Sequence, residues 1–256
     1  MTARFFPVPG RHSGRVYVIT GGAQGIGRAC VRRMAAEGAQ VMLADIDPSG
    51  ASVAEEIGGA FQKTDMADPA QVQALADAAV ARFGRIDVWH NNAFRATFKP
   101  IQHQTLEEFD AITAIGIRGY WLGAKAAVTR MLAQGPGANG RHGVILNTAS
   151  VQSFVGERGF SAYQTTKGAV LALTRSLAVD HEPLIRSLAI APGLIVTEAV
   201  KKIPADVMAG VVAAIPAARA AQPEEVAALA AFLLSDEADY ISGTAVIQDG
   251  AYLAIG

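Results

Sequence analysis

Residues 15–34 constrain the fold most strongly. A short apolar, β-branched run at 15–19 has the composition of a strand. It leads directly into T-G-G-A-Q-G-I-G at 20–27, and Ile26, Cys30 and Met34 then keep helical spacing. A strand, a glycine-rich turn and a helix in this order form a cradle for a dinucleotide pyrophosphate, because the backbone can approach the phosphates closely. A tight turn without a ligand is the alternative that this segment alone leaves open.

Strand-type and helix-type segments alternate along the rest of the chain. Further apolar runs of strand type occur at 41–44, 61–66, 86–90, 144–147, 185–191 and 244–247. Helix starts are predicted at Asp68-Pro69, at Thr105 and at Gln222-Pro223. This alternation predicts an α/β fold: a single doubly wound Rossmann-type domain, with a parallel seven-stranded sheet and helices on both faces. Residues 1–14 are predicted as an irregular arm and 15–256 as the domain.

Asp45 ends the second predicted strand. A carboxylate there can accept hydrogen bonds from both hydroxyls of an adenosine ribose and would repel a 2′-phosphate. Neither Ile46, which follows, nor Gln24 in the turn is basic. The sequence therefore favours NAD over NADP. The alternative is that Asp45 caps the following helix. This role is less favoured, because Asp47-Pro48 already predicts an N-cap with proline at N1.

Tyr163 and Lys167 are spaced one helical turn apart, and Ser150 precedes Tyr163 by thirteen residues. An ammonium beside a phenol favours the phenolate. The pKa of Tyr163, ordinarily ~10, would therefore fall towards neutrality and suit acid–base work. Ser150 could offer its hydroxyl to the oxygen that Tyr163 protonates. Because Y-x-x-x-K also arises by chance on surface helices, this interpretation needs support from the rest of the chain.

Composition argues against several other classes of function. With 51% hydrophobic and 18% charged residues, the chain is expected to bury a large core and some surface between subunits. A net charge of −1 predicts no nucleic acid partner. Cys30, the single cysteine, predicts no disulfide and leaves too few thiols for a cysteine zinc site, so no metal is predicted. No apolar run has the length of a signal peptide or a membrane span, which predicts a soluble, cytoplasmic protein.

Taken together, these residues resemble the short-chain dehydrogenase/reductase family from about residue 15 to the C-terminus. The motifs that carry the resemblance are T-G-x-x-x-G-I-G at 20–27, Asp45, Asp65-Met66, N-N-A at 91–93, Ser150, Y-x-x-x-K at 163–167, P-G at 192–193 and Thr197. Each motif is weak evidence alone, whereas the ordered set is highly specific.

The resemblance implies an NAD(H)-dependent oxidoreductase that interconverts a secondary alcohol and a ketone. Tyr163 would be the general acid and base, Lys167 its pKa-lowering partner and a contact of the nicotinamide ribose, and Ser150 the group that polarises the substrate oxygen. The implied contacts of the cofactor, NAD, are Gly21, Gln24, Gly25, Ile26, Gly27, Asp45, Asp65, Met66, Asn92, Tyr163, Lys167, Ile195 and Thr197. A homo-oligomer, either a tetramer or a dimer, is also implied.

Two positions depart from the family pattern. Gly116 stands where the family has an asparagine in its long central helix, and Phe94 replaces the last glycine of N-N-A-G. We expect both changes to tune the site. Gly116 also motivates the alternative, a weakly active or inactive NAD-binding protein that acts as a sensor or assembly partner. Phe94, Phe154 and Phe160 predict an apolar pocket, with packing in the core as the alternative. Residues 194–222 predict a substrate lid or an ordinary packed connector, and His90 is predicted as a packed strand residue.

Overall fold

Seven parallel strands form one sheet in the computed structural model, which describes residues 5–254. The strands are β1 Val16–Thr20, β2 Gln40–Asp45, β3 Ala60–Lys63, β4 Val88–Asn91, β5 Gly143–Thr148, β6 Ile185–Pro192 and β7 Ala245–Gln248. Their spatial order is β3-β2-β1-β4-β5-β6-β7, so the winding reverses between β1 and β4. The predicted fold class is confirmed, and the reversal lies where open α/β sheets bind their ligands.

Helices cover both faces of this sheet. Within the described residues they are α1 Gly25–Ala36, α2 Gly50–Glu56, α3 Pro69–Phe83, α4 Leu106–Thr113, α5 Tyr120–Gln134, α6 Ser161–His181, α7 Ala205–Ala213 and α8 Pro223–Leu234. Tyr17 and Ile19 of β1 pack with α1 and α8, whereas Val18 points to the other face and packs with α3 and α5. Successive strand residues alternate between the two faces, so each strand contributes to two cores.

The helix starts that depend on local chemistry are mostly confirmed. The Asp68 side chain accepts hydrogen bonds from the first turn of α3, and Thr105 forms a capping box with Glu108 at α4. The predicted N-cap at Asp47 is wrong. Its carboxylate accepts a hydrogen bond from Ser49 N–H at 2.9 Å in a turn, and α2 begins only at Gly50. The Asp47 carboxylate therefore satisfies a backbone N–H of the turn that precedes the helix, and not one of the helix itself.

Residues 5–14 form no helix or strand and lie against α1 and α8. His12 is fully buried, with its Nε2 3.0 Å from the carbonyl oxygen of Ala231, and the buried carboxylate of Glu37 accepts a hydrogen bond from Val8 N–H at 3.0 Å. The predicted arm is therefore fixed to the domain along these residues, and positions 1–4 lie outside the described chain. Between residues 5 and 254 no helix has both the length and the apolar composition needed to cross a bilayer.

Candidate active site

The glycine-rich turn between β1 and α1 closes tightly on its surroundings. Gly21 and Gly25 have φ of +70° and +54°, a conformation that side chains disfavour. A Cβ on Gly27 would lie 1.9 Å from the carbonyl oxygen of Gly21, and a Cβ on Gly21 would lie 2.7 Å from Ala93 Cα. The glycines are therefore required by the fold of the turn itself, at the carboxyl ends of β1 and β4.

The N-terminus of α1 has the properties of an anion site. Gln24, its N-cap residue, is exposed and caps no backbone N–H, and no acidic residue lies in the first turn. The carboxylate of Glu198, from the 194–222 segment, lies there instead, 2.6 Å from Arg28 Nη2 and 3.7 Å from the position of a Cβ added at Gly25. Burial opposes the ionisation of Glu198, but hydrogen bonds and nearby positive charges outweigh it and lower the pKa. The helix dipole and its free N–H groups would favour a pyrophosphate in the same way.

Asp45 lies at the end of β2 beside this turn. Its carboxylate accepts hydrogen bonds from Ala23 N–H at 2.9 Å and from Asp47 N–H at 3.0 Å. The side chain remains partly exposed, which leaves it accessible to a ligand in the cleft. Lys63 of β3 is its register partner, and the Lys63 side chain is exposed.

Asn92 is directed into the protein. Its Nδ2 donates to the carbonyl oxygens of Thr20 and Gly21, at 3.2 and 2.9 Å, and its Oδ1 accepts from Thr148 Oγ1 at 3.3 Å. Because these bonds use the whole amide group, its observed contribution is to hold the glycine-rich turn in place.

The other predicted cofactor residues lie around the same cleft. Asp65 accepts a hydrogen bond from Ala67 N–H at 2.8 Å and is partly exposed, whereas the side chains of Met66 and Ile195 are buried in the two cores. Thr197 lies against Gly25, where its Cγ2 would be 3.2 Å from an added Cβ. Ile26, in the first turn of α1, is only partly buried.

Ser150, Tyr163 and Lys167 form one group at the carboxyl end of β5. Tyr163 lies in the first turn of α6, and the side chain of Ser150 is close enough to its hydroxyl to lower the pKa of Tyr163. Lys167 follows one turn later and is 2% exposed. Its Nζ donates to the carbonyl oxygen of Thr148 at 2.6 Å and lies 5.7 Å from the centre of the Tyr163 ring. The structure thus brings the three predicted catalytic residues together.

The predicted effect of Lys167 on Tyr163 is not seen. Burial raises the pKa of Tyr163 above its ordinary value, and the hydrogen bond from Ser150 only partly offsets that increase. The larger change falls on the lysine, because burial lowers the pKa of Lys167 to about 7. Sequence spacing placed the two residues side by side but carried no information on how deeply the ammonium is buried.

A buried hydrogen-bonded chain runs beneath this group. His90 lies 2.5 Å from Tyr17 Oη through Nδ1 and 2.9 Å from Thr148 Oγ1 through Nε2. Thr148 Oγ1 continues the chain to Asn92. Burial, together with the charge of Lys167, lowers the pKa of His90 to about 3 and keeps it neutral. The prediction that His90 is a packed strand residue is confirmed.

Gly116 lies in a π-helical turn, Ala114–Gly119, between α4 and α5. A Cβ on Gly116 would lie 2.1 Å from Thr166 Cγ2, and a Cβ on Gly119 would lie 2.7 Å from the carbonyl oxygen of Met66. The methyl group of Thr166 therefore fills the space next to Gly116. This close packing accounts for the glycines that interrupt the long helical pattern.

Gly116→Ala is expected to destabilise the protein by about 1–3 kcal/mol, because it overpacks the contact with Thr166. Thr166→Ser removes the obstructing methyl group and keeps the hydroxyl that bonds to Ala162. Gly116→Ala should therefore cost much less in that background. Denaturant unfolding of the two single variants and the double variant measures the difference. An equal cost in both backgrounds would contradict this account of Gly116.

Three phenylalanines surround Tyr163 on the open side of the cleft. The ring centres of Phe94, Phe98 and Phe160 lie 6.5, 5.9 and 6.2 Å from that of Tyr163, each ring edge-on to it. Phe98 and Phe160 are in contact, with centres 4.3 Å apart. Phe94 and Phe98 remain more than half exposed. These three side chains, the aromatic wall, present a large apolar surface around the Tyr163 ring.

Phe98 was missed from the sequence, and Phe154, predicted to line the apolar pocket, lies beside residues of α6 and β7. Phe154 lines a separate cavity between α6 and β7, with Leu171 and Ile247 among its other residues. The signal for Phe98 was its position four residues after Phe94 in the same loop. Only the folded loop, held by a 2.8 Å hydrogen bond from Lys99 N–H to the Gly159 carbonyl oxygen, shows that Phe98 meets Phe160.

Comparison with known proteins places this geometry among oxidoreductases. A family model described as enoyl-(acyl carrier protein) reductase matches residues 21–252. Levodione reductase of Leifsonia aquatica is 38% identical over 99% of both chains. Cis-4-hydroxycyclohexanecarboxylate dehydrogenase of Sinomonas cyclohexanicum is 38% identical over 94% of this chain and 97% of its own. A 3-alpha-(or 20-beta)-hydroxysteroid dehydrogenase of Mycobacterium tuberculosis is 36% identical over 96% of this chain and 92% of its own.

Solved structures agree with this placement. The crystal structure of levodione reductase superimposes with a TM-score of 0.88 at 37% identity, covering 96% of this chain and 100% of the other. A 3-ketoacyl-(acyl-carrier-protein) reductase from Brucella melitensis, complexed with NADH, gives a TM-score of 0.87 at 32% identity, covering 94% of this chain and 98% of the other.

Proposed function

The chain belongs to the short-chain dehydrogenase/reductase family, and from that premise we propose that it is an NAD(H)-dependent oxidoreductase that interconverts a secondary alcohol and a ketone. One observation carries the proposal. Ser150, Tyr163 and Lys167 meet at the same edge of the sheet as the glycine-rich turn and the uncapped N-terminus of α1. The acid–base group therefore shares one cleft with the anion site.

The roles of the three side chains follow from their contacts. In alcohol oxidation the Tyr163 phenolate accepts the hydroxyl proton, and in ketone reduction the phenol returns it. Ser150, beside Tyr163, donates its one hydroxyl proton to the substrate oxygen and fixes its position. The ammonium of Lys167, 5.7 Å from the centre of the Tyr163 ring, would stabilise the phenolate once the proton has left. A bound nicotinamide supplies the hydride donor or acceptor.

The same residues fit NAD as the cofactor. The N–H groups at Gly25, Ile26 and Gly27 would hold the pyrophosphate, which would displace the Glu198 carboxylate. Asp45 would accept hydrogen bonds from the adenosine ribose and repel a 2′-phosphate. The complex of the Brucella melitensis relative with NADH supports a nicotinamide cofactor of this type.

The substrate we propose is a secondary alcohol on a saturated ring, or the matching ketone. The aromatic wall offers flat apolar surfaces beside the Tyr163 ring, which favour the broad face of a ring substrate. Two relatives carry hydroxycyclohexane and hydroxysteroid in their names. A hydroxyl group on a saturated ring is present in the first compound and in a 3-alpha-hydroxysteroid.

A panel assay tests this function. Purified protein is mixed with NAD and with cyclic or open-chain secondary alcohols, and NADH formation is followed by its ultraviolet absorbance. We expect turnover, with higher kcat/KM for the cyclic alcohols. Preference for open-chain alcohols would contradict the ring assignment. Tight NAD binding without turnover on any alcohol or ketone would instead favour a sensor or assembly role.

Two further features belong to the same proposal. Residues 194–222 leave the sheet and return to it, because Ile195 pairs with Ala221, and no residue of α7 between them is buried. This is the architecture that a substrate lid needs.

Exposed apolar side chains on α5 and α6, such as Trp121 and Val179, support a homo-oligomer. Light scattering after gel filtration measures its mass.

A further inference from the structure

Tyr120 lies directly beneath the catalytic lysine. It is 1% exposed, and its hydroxyl donates to the Thr148 carbonyl oxygen at 3.3 Å. The same carbonyl oxygen accepts from Lys167 Nζ at 2.6 Å, and Nζ lies 3.5 Å from the Tyr120 hydroxyl. Nζ is also 5.4 Å from the centre of the Tyr120 ring. Three polar groups therefore form a closed triangle, and a π face lies under the positive charge.

The fold holds Tyr120 in this place from several directions. It is the first residue of α5, immediately after the π-helical turn Ala114–Gly119. Its carbonyl oxygen accepts a hydrogen bond from Asn91 Nδ2 at 3.2 Å. Gly123, one turn later, lies so close to β4 that an added Cβ would be 2.6 Å from Asn91 Oδ1. The Tyr120 hydroxyl is therefore a fixed group, unlike the end of a mobile side chain.

We propose that Tyr120 is a positioning residue that holds the ammonium of Lys167 towards Tyr163. An ammonium has three N–H donors and no acceptor. The Thr148 carbonyl oxygen and the Tyr120 hydroxyl together engage the inner side of Nζ, which leaves one donor for the cleft side. The inference rests on the proposed function of the Tyr163 centre, and it adds a residue that neither the motifs nor the family resemblance assigns.

The surroundings of Nζ leave few other groups for this task. The groups that face it are Tyr163 on α6, Tyr120 on α5, Thr148 on β5 and His90 on β4, with the Phe94 ring at 5.9 Å on the cleft side. Burial alone accounts for the lowered pKa of Lys167, without the influence of a nearby carboxylate. Burial raises the pKa of Tyr120, so its hydroxyl stays protonated and can accept from the ammonium. His90 is neutral.

A double-mutant cycle tests the role. Tyr120→Phe keeps the ring and removes only the hydroxyl, and it is expected to lower kcat for alcohol oxidation roughly three- to tenfold, the effect of one lost hydrogen bond. In a Lys167→Met background the same change should have no further effect, because Tyr120 acts through the lysine. Tyr17→Phe is the matched control. Its hydroxyl is equally buried and hydrogen-bonded but bonds to His90, and it should change kcat less than about twofold in either background.

A second readout needs no catalysis. In protein carrying ¹³C-labelled lysine and no cofactor, NMR follows the titration of Lys167. Tyr120→Phe should lower its pKa further below about 7, and Tyr17→Phe should leave it unchanged. Absence of turnover would overturn the proposed function but not this titration. Equal losses of kcat from Tyr120→Phe with and without Lys167, or an unchanged lysine titration, would overturn the role of Tyr120.

Discussion

Tyr163→Phe is expected to lower kcat for alcohol oxidation by about 10²–10⁴-fold, the usual contribution of a general acid or base. The change removes one oxygen, the group that receives the substrate proton, and keeps the ring that packs against the aromatic wall. Steady-state NADH formation measures the loss. NAD affinity, measured by calorimetry, should change little, because the residues proposed to hold the pyrophosphate and the adenosine ribose are untouched.

The control separates chemistry from folding. Tyr17→Phe removes a buried, hydrogen-bonded tyrosine hydroxyl from the core, outside the Ser150, Tyr163 and Lys167 group. It should retain most of the activity, and both variants should unfold cooperatively. A Tyr163→Phe enzyme within about threefold of the unaltered rate would show that another group moves the proton, since even weak general acid–base catalysis contributes about 10²-fold.

Asp45→Ala is expected to weaken NAD binding by about 10–100-fold, because hydrogen bonds to a charged group contribute about 1.5–3 kcal/mol. NADP binding should improve at the same time. The variant no longer repels the 2′-phosphate of NADP. The exposed Lys63, which is paired with position 45 on the neighbouring strand β3, leaves a positive charge beside the site. Calorimetric Kd values for both cofactors measure the change in preference.

Two further variants make this result specific. Asp45→Asn removes the charge and keeps one of the two oxygens that accept from Ala23 and Asp47, so it should improve NADP binding and disturb the turn less than Asp45→Ala does. Asp47→Ala removes a neighbouring exposed carboxylate and should leave both affinities nearly unchanged. Equal discrimination between NAD and NADP before and after Asp45→Ala would contradict the ribose role.

The sequence could predict those features that depend on residues close together in the chain. Apolar runs located all seven strands to within about three residues, because strands of a parallel sheet are covered on both faces. Asp68 and Thr105 marked helix starts, because a cap depends only on the next three residues. Tyr163 and Lys167 could be paired from spacing alone, since a helix fixes which positions share a face.

Features that depend on distant residues could not be predicted in this way. The absence of a side chain at Gly116 is explained by Thr166, fifty positions later, which occupies the space. The pKa of Lys167 depends on its total burial, which no short motif encodes. Tyr120 reaches the lysine because a π-helical turn precedes it and Gly123 lets α5 lie against β4. The aromatic wall likewise forms only when two loops meet.

The most direct test of the account is the pH dependence of kcat/KM for alcohol oxidation, measured for the unaltered enzyme and for Lys167→Met. In the proposed mechanism the ammonium of Lys167 favours the phenolate of Tyr163, so the rising limb of the unaltered enzyme should have an apparent pKa below ~10, the ordinary value for tyrosine. Without the ammonium, buried Tyr163 keeps a raised pKa, so the limb should move above ~10. The same limb in both enzymes would contradict a lysine-assisted tyrosine as the proton-transfer group.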